Sequence, residues 1–211
     1  MIQCDSGTKC FEEKYTNMTE MHGTHSLEFD LVALKKKLRD AVRALVRALS
    51  EQEREKSSGV LREKLERDDA FIRAKTVMLF WPLKDEPDLR PLIERACLQG
   101  KRVYLPKITA GTMHAYRYSD TSGLIRNDLG VMEPEDNGEG IQPQGLDCVV
   151  VPGQAFSSDG RRLGRGGGFY DRFLAQTNEA AATVGVCFSC QLFEQIPFAA
   201  HDRAVQRVFS A

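Results

Sequence analysis

The sequence lacks any long apolar run. No stretch approaches the roughly 20 consecutive apolar residues that a membrane-spanning helix needs. Residues 1–30 carry several charges and no apolar core of the kind a secretory signal requires. They are expected to form a tail or start-site extension, with Met18 and Met21 as candidate alternative starts. The chain also has no excess of either charge: 29 Lys and Arg stand against 30 Asp and Glu, a formal net charge of −1. That argues against a globally basic nucleic-acid or membrane-surface binder. Cysteine is scarce, with six residues, too few for a disulfide scaffold of this length. The cytoplasm is the expected compartment. Internal repeats, low-complexity segments and a Gly-x-Ser-x-Gly nucleophile motif are all missing. The four His residues show no ligand or triad spacing.

What is present suits one globular domain. The 42% hydrophobic and 28% charged residues in 211 exclude disorder over the whole chain, and the length favours a single domain, placed at residues 31–211. Leu31, Leu34, Leu38, Val42, Leu45, Val46 and Leu49 recur at helical spacing. Ser50 with Glu53 forms a capping box that predicts a second helix over about 51–66. Thr76 to Trp81 reads as a buried strand ended by Pro82. A helix over Asp88–Gln99, stopped by Gly100, and a strand at Val103–Leu105 ended by Pro106 complete a βαβ unit. Met113–Tyr118 is a further strand, and 119–145 an excursion with little regular structure. Cys148–Val151 is apolar throughout, as a central parallel strand must be. Gly168–Gln176 reads as a helix; Thr183–Phe188 and Val205–Phe209 read as strands. The alternation predicts an α/β fold of three layers, α/β/α, with a largely parallel central sheet.

One segment, DGRRLGRGGGFYDR over residues 159–172, stands apart. Four of the five residues from Gly164 to Gly168 are glycine, and a helix follows. Such a run costs backbone entropy unless the chain needs unusual dihedrals or close approach to a ligand. Bare backbone N–H groups can converge on an anion, aided by a helix start and by Arg161, Arg162, Arg165 and Arg172. The segment is neither a P-loop, since no Lys-Ser or Lys-Thr follows, nor a Rossmann fingerprint, since position 169 is Phe. A flexible surface turn is the plainer reading, and four arginines argue against it.

With these residues in view, the sequence resembles the 5-formyltetrahydrofolate cyclo-ligase (5,10-methenyltetrahydrofolate synthetase) family. RLGRGGGFYD at 162–171 looks like the family's signature loop. KKKLR at 35–39, WPLKDEPD at 81–88, KRVYLP at 101–106, residues 147–153 and residues 197–202 match in order over about 34–209. The resemblance implies a NagB/RpiA/CoA-transferase-like fold. It also implies a monomeric enzyme that uses ATP and Mg²⁺ to cyclise 5-formyltetrahydrofolate, possibly polyglutamylated, to 5,10-methenyltetrahydrofolate.

The same resemblance implies roles residue by residue. Lys35, Lys36 and Arg39 would meet the ATP phosphates, together with Arg162, Leu163, Gly164, Arg165, Gly166, Gly167, Gly168, Phe169 and Tyr170. Leu83 and Asp88 would contact the folate, joined by Arg165, Gly166, Gly167, Gly168 and Phe169, with Glu86 as a neighbour. Arg165 would stabilise the transferring phosphoryl group. Asp171 and Asp202 would ligate Mg²⁺. Plainer readings stand beside these: a solvated basic face for Lys35 and Arg39, a first-turn carboxylate for Asp171, a turn residue for Asp202 and a helix N-cap for Asp88. Gln206 replaces an Asp common in the family, which leaves room for a regulator that binds nucleotide or folate without turnover. A sugar-phosphate isomerase or acyl-CoA transferase on the same scaffold is the third reading. Cys187 and Cys190 have Cys-x-x-Cys spacing, read as buried thiols rather than a metal or redox site.

Overall fold

Side chains alternate across a strand, so a strand that is apolar at every position must be covered on both faces. β7 (Cys148–Val151) is apolar throughout; β1 (Thr76–Met78) and β10 (Ala182–Cys187) are likewise buried at every position, and β2 (Arg102–Thr109) is buried over Val103–Leu105, at the centre of the sheet. A computed structural model describes residues 26–211 except 121–122, 128–129 and 136–137, with residues 26–30 as helical backbone only. Val77, Val103, Val150 and Val184 point to one face and pack with Phe71, Leu92 and Ile93. Met78, Tyr104, Val149 and Val151 point to the other and pack with Phe156, Phe173 and Leu174.

The seven strands run β12-β10-β7-β1-β2-β3-β6, where β3 is Thr112–Arg117, β6 is Gly140–Ile141 and β12 is Arg207–Ser210. The five from β12 to β2 are parallel; β3 and β6 add antiparallel. Helices α2 (Glu51–Glu66), α3 (Asp69–Arg73) and α4 (Arg90–Leu98) cover the first face, and α5 (Phe169–Leu174) lies on the second. The expected three-layer α/β/α order is present. Helix α1 (Ser26–Ala48) stands apart from the main sheet. Its Leu38, Val42 and Val46 pack on a small sheet of β8 (Ala155–Ser157), β9 (Arg162–Leu163) and β11 (Leu192–Phe193).

Several boundaries differ from the sequence expectation, each for a local reason. The capping box is formed: Ser50 Oγ accepts from the Glu53 amide, and Glu53 accepts from the Ser50 amide. Helix α1 starts at Ser26 rather than Leu31, while the expectation for residues 1–25 lies outside the described residues. Pro106 does not end β2, which continues to Thr109. Beyond Tyr104 the β1 pairing is over and only β3 flanks β2, so a missing N–H is tolerated. Helix α4 begins after Leu89, with Pro91 in its first turn. The 119–145 excursion is more regular than expected, holding the β4 (Leu124–Arg126) and β5 (Met132–Pro134) hairpin as well as β6.

Gly160 ties the small sheet to the C-terminal segment. Its φ of +88° belongs to the left-handed region, and a Cβ there would sit 2.0 Å from the Val205 carbonyl oxygen. The two chains meet as a backbone pair, with the Val205 amide donating to Gly160 O at 2.8 Å. Gly160→Ala is expected to destabilise the fold by about 2–4 kcal/mol, lowering Tm by about 5–15 °C. A thermal melt that matches the parent would refute this tie.

Candidate functional site

The carboxyl ends of parallel strands are where an α/β sheet leaves a crevice. Here the loops at 82–88 after β1 and 152–154 after β7 meet the glycine-rich loop at 164–168 and the C-terminal segment at 199–206. Helix α1 closes the group. Lys35 and Arg39, one turn apart on α1, reach different segments. Lys35 Nζ pairs with Asp202 Oδ2 at 2.5 Å, and Arg39 Nε donates to Gly164 O at 2.8 Å. Lys36, between them, is exposed. The first-helix basic pair and the glycine-rich loop, 125 residues apart in sequence, therefore sit side by side.

Beneath the loop lies Arg162, on β9, whose side chain is only 3% exposed. Its guanidinium donates to Asp171 Oδ1 at 2.8 Å and lies over the Tyr170 ring at 5.7 Å. Leu163 is buried beside it in the core under α1. Glycine is required at 164 by close approach: a Cβ there would lie 2.7 Å from an Arg162 nitrogen. Residues 165–167 are exposed. Gly166 and Gly168 adopt φ of +110° and +64°, which turns the chain left-handed into α5. Among the described residues, no backbone partner takes the N–H groups of Gly166, Gly167 and Gly168. Arg172 anchors the exit, donating to Gly167 O and Gly111 O and lying over the Phe169 ring. Helix α5 has six residues, shorter than expected, so the positive character here comes from the guanidiniums more than from a helix dipole.

Arg165 reaches across the loop to two acids. It donates to Asp85 Oδ1 at 2.6 Å and to Glu86 Oε1 at 3.0 Å, with its side chain 42% exposed. Burial pushes the Asp85 carboxyl up, yet the Arg165 contacts, helped by Gln154, hold it below the usual range. Glu86 is more deeply buried. Burial raises its pKa, and neither Arg165 nor the Leu83 amide that donates to it offsets this fully. Burial also pulls the Arg165 guanidinium down, but the two acids outweigh it and leave it raised. Tyr170 is half-buried, with its hydroxyl buried and without a partner among the described residues; burial first, then nearby Glu86, pushes its pKa up.

The predicted acids divide into two kinds. Asp171 uses Oδ1 for both Arg162 and the Arg203 amide, and Asp202 uses Oδ2 for both Lys35 and the Ala199 amide. Asp171 thus answers a buried cation as well as standing in the first turn of α5, and Asp202 closes a turn as well as an ion pair. Asp88 works as a helix-start residue, with its carboxylate taking the Arg90 amide and guanidinium. Leu83 is half-buried and meets the site through its amide. Sequence reasoning missed Asp85 and Gln154 as site residues. The only available signal was the acidic pair before Pro87, which does not reveal that Arg165 lies opposite. Gln206 is engaged on β10, exchanging hydrogen bonds with Thr183. Clefts of about 250 and 680 Å³ lie elsewhere, around Arg117 and Arg207; at this site Arg165 bridges the glycine-rich loop to Asp85 and Glu86.

The sequence matches the model of the 5-formyltetrahydrofolate cyclo-ligase family over residues 32–211. It is similar to the 5-formyltetrahydrofolate cyclo-ligase of Escherichia coli K12, with 39% identity over 131 residues, 60% of this chain and 72% of that protein. The mouse protein of the same name is 30% identical over 186 residues, 82% of this chain and 92% of its own. Among solved structures, the Aquifex aeolicus 5,10-methenyltetrahydrofolate synthetase superposes with a TM-score of 0.75 at 37% identity, covering 84% of this chain and 89% of that one. The Mycoplasma pneumoniae synthetase shares the fold, with a TM-score of 0.67 at 23% identity over 82% of this chain and 96% of its own.

The Cys-x-x-Cys pair lies apart from this chemistry. Burial raises Cys187 to about 12 and Cys190 to about 11. Both are protonated at neutral pH, where a thiolate would be needed for reaction. In the native protein at pH 7.5, iodoacetamide should label Cys187 far more slowly than in denaturant, as read by peptide mass spectrometry. Equal rates would contradict the burial argument.

Proposed function

The chain belongs to the 5-formyltetrahydrofolate cyclo-ligase family, and from that premise we propose that it closes 5-formyltetrahydrofolate to 5,10-methenyltetrahydrofolate at the expense of ATP, releasing ADP and phosphate. The observation that supports the ATP assignment is Arg39 on the glycine-rich loop, whose amides at 166–168 lack a backbone partner among the described residues, with Lys35 one turn away on Asp202. Guanidinium, ammonium and free N–H groups from separate segments converge on one place, as a triphosphate requires.

The chemistry asks little covalent work of the protein. A formamide oxygen leaves poorly. Transfer of the γ-phosphoryl group to it creates an iminium phosphate; N10 of the folate then attacks the same carbon and phosphate departs. Positioning and charge neutralisation govern such a transfer. Lys35 and Arg39 hold the phosphates from the α1 side, and the loop from Gly164 to Gly168 wraps them from the other. Lys36, exposed on α1, supplies further positive charge to the approach. Arg165, the one loop guanidinium that projects over the opening, neutralises the group in transit. Leu83, Phe169 and Tyr170 give the folate its apolar walls, and Asp88 stands at the edge of that pocket.

Two carboxylates fit a nucleotide-borne magnesium ion. Asp171 and Asp202 each direct one oxygen to the protein's own cations and amides. Among the described residues, Asp171 Oδ2 has no protein partner, and Asp202 Oδ1 has only the exposed His201 at 3.7 Å. A nucleotide-borne Mg²⁺ typically takes one or two carboxylates plus phosphate oxygens and water. Mg²⁺ at this position would neutralise charge on the triphosphate. Gln206, turned to Thr183, does not argue for a non-catalytic binder. No helix among the described residues is long and apolar enough to cross a membrane, and the reading is of a monomeric cytoplasmic enzyme.

The test is the absorbance of the methenyl product on mixing the protein with 5-formyltetrahydrofolate, Mg²⁺ and ATP. No ATP-dependent rise would end the proposal. Arg165→Ala should lower kcat/KM by about 10²-fold, while costing about 1–2 kcal/mol of stability, because the Asp85 pair is partly solvated and the Glu86 carboxylate is buried. A comparable loss of Tm and activity would place Arg165 in the fold instead. Asp171→Asn should raise the Mg²⁺ concentration for half-maximal rate. An unchanged titration would leave Asp171 with Arg162 alone.

A further inference from the structure

Gln154 is a polar side chain where an apolar one would pack. It is 3% exposed, between β7 and β8. Its backbone is fixed on both sides: its amide donates to Leu163 O at 2.8 Å, and its carbonyl accepts from Gln191 Nε2 at 3.0 Å. The side chain therefore has one direction to take. Its Nε2 donates to Asp85 Oδ2 at 3.4 Å, and its Oε1 is buried with no partner. A buried amide oxygen left unpaired is a standing cost to the fold, which a leucine or methionine of similar size would not carry.

What the amide does achieve is orientation of Asp85. With Oδ2 held by Gln154, Asp85 presents Oδ1 to Arg165 at 2.6 Å. Glu86 takes the same guanidinium from the other side and is itself held by the Leu83 amide. We propose that Gln154 is a positioning residue for the nucleotide site: it fixes Asp85, and through Asp85 it sets where Arg165 stands over the glycine-rich loop. This deepens the reading of Arg165 as a phosphate-facing residue and rests on it. Three loops that are remote in sequence, at 82–88, 152–154 and 164–168, are thereby registered through one buried amide. Asp85 itself need not touch the ligand. It acts by limiting the arcs through which a long, half-exposed guanidinium swings, so that less freedom is lost when phosphate arrives.

The test is a double-mutant cycle on Gln154→Met and Asp85→Asn in the full chain. It is read by calorimetric titration with ATP and Mg²⁺ and, separately, by methenyl turnover. Gln154→Met keeps length and removes the donor; it should raise Kd for ATP by about tenfold, with Tm at or above the parent because the orphan oxygen is gone. Asp85→Asn should raise Kd by a similar factor. The double variant should be no more than about twofold worse than either single one, since both break the same link. Parent-like ATP affinity in Gln154→Met, or effects that multiply in the double variant, would overturn the proposal. Should Gln154→Met fail to fold, Asp85→Asn with parent-like affinity overturns it equally. ATP binding without turnover in the parent protein would remove the cyclo-ligase reading while the Kd cycle still decides the role of Gln154. A parent protein that binds no ATP overturns both.

Discussion

The site is organised around a guanidinium withdrawn from water. Arg162 is 3% exposed, and a charge so placed is tolerated only with a partner and further hydrogen bonds. Asp171 is that partner. By accepting the Arg203 amide on the same oxygen, Asp171 also captures the C-terminal segment. That segment carries Asp202, which holds Lys35 on α1; one turn further along α1, Arg39 returns to Gly164. The contacts close a ring that begins and ends at the glycine-rich loop. Part of the glycine content answers to this ring as well as to any ligand, since a side chain at 164 would strike Arg162 itself.

The ring also states what binding a polyanion would mean here. Lys35, Arg162 and Arg165 each face a carboxylate. A triphosphate does not find bare cations; it enters a set of pairs whose desolvation was met when the chain folded. Cations already fixed and partly dried need little rearrangement to meet new negative charge, which is the condition for strong electrostatic assistance. On the proposed reading, Asp171 and Asp202 would be free to accept a divalent ion once a phosphate took over their cations.

Much of this was legible in the chain. Apolar runs at Val77, Val103 and Cys148–Val151 announced strands covered on both faces, and Ser50 with Glu53 announced a helix start. The four-residue step from Lys35 to Arg39 placed two charges on one helical face. The parts that stayed hidden share a physical cause: they depend on what lies opposite. Strands β8, β9 and β11 have two or three residues, too few to show a period. Pro106 reads as a strand end until β3 is known to be the only flanking strand at that point. Asp85 looks like a loop acid and Gln154 like a turn residue. Only the approach of three loops reveals that they face each other and Arg165. Asp88 stands one residue ahead of the expected N-cap: Leu89 takes that position, and the Asp88 carboxylate instead holds the Arg90 amide, a local arrangement at the helix start.

Asp85 and Glu86 show why adjacency in sequence does not mean equivalence in chemistry. Both hold Arg165, yet their acidities move apart. Asp85, partly open and supplied with donors, is kept below the usual range; the stability it contributes is present at neutral pH and is lost as pH falls through its lowered pKa. Glu86 is buried more deeply, and its pKa is raised. Its contribution has the opposite sign: it is fullest in acid and declines as pH rises through the raised value. As pH falls from neutrality, the proton therefore goes to Glu86 first, and Arg165 remains tethered by Asp85 alone. The pair is thus asymmetric by burial: a permanent anchor in Asp85 and a weaker, protonatable hold in Glu86 act on the same arginine.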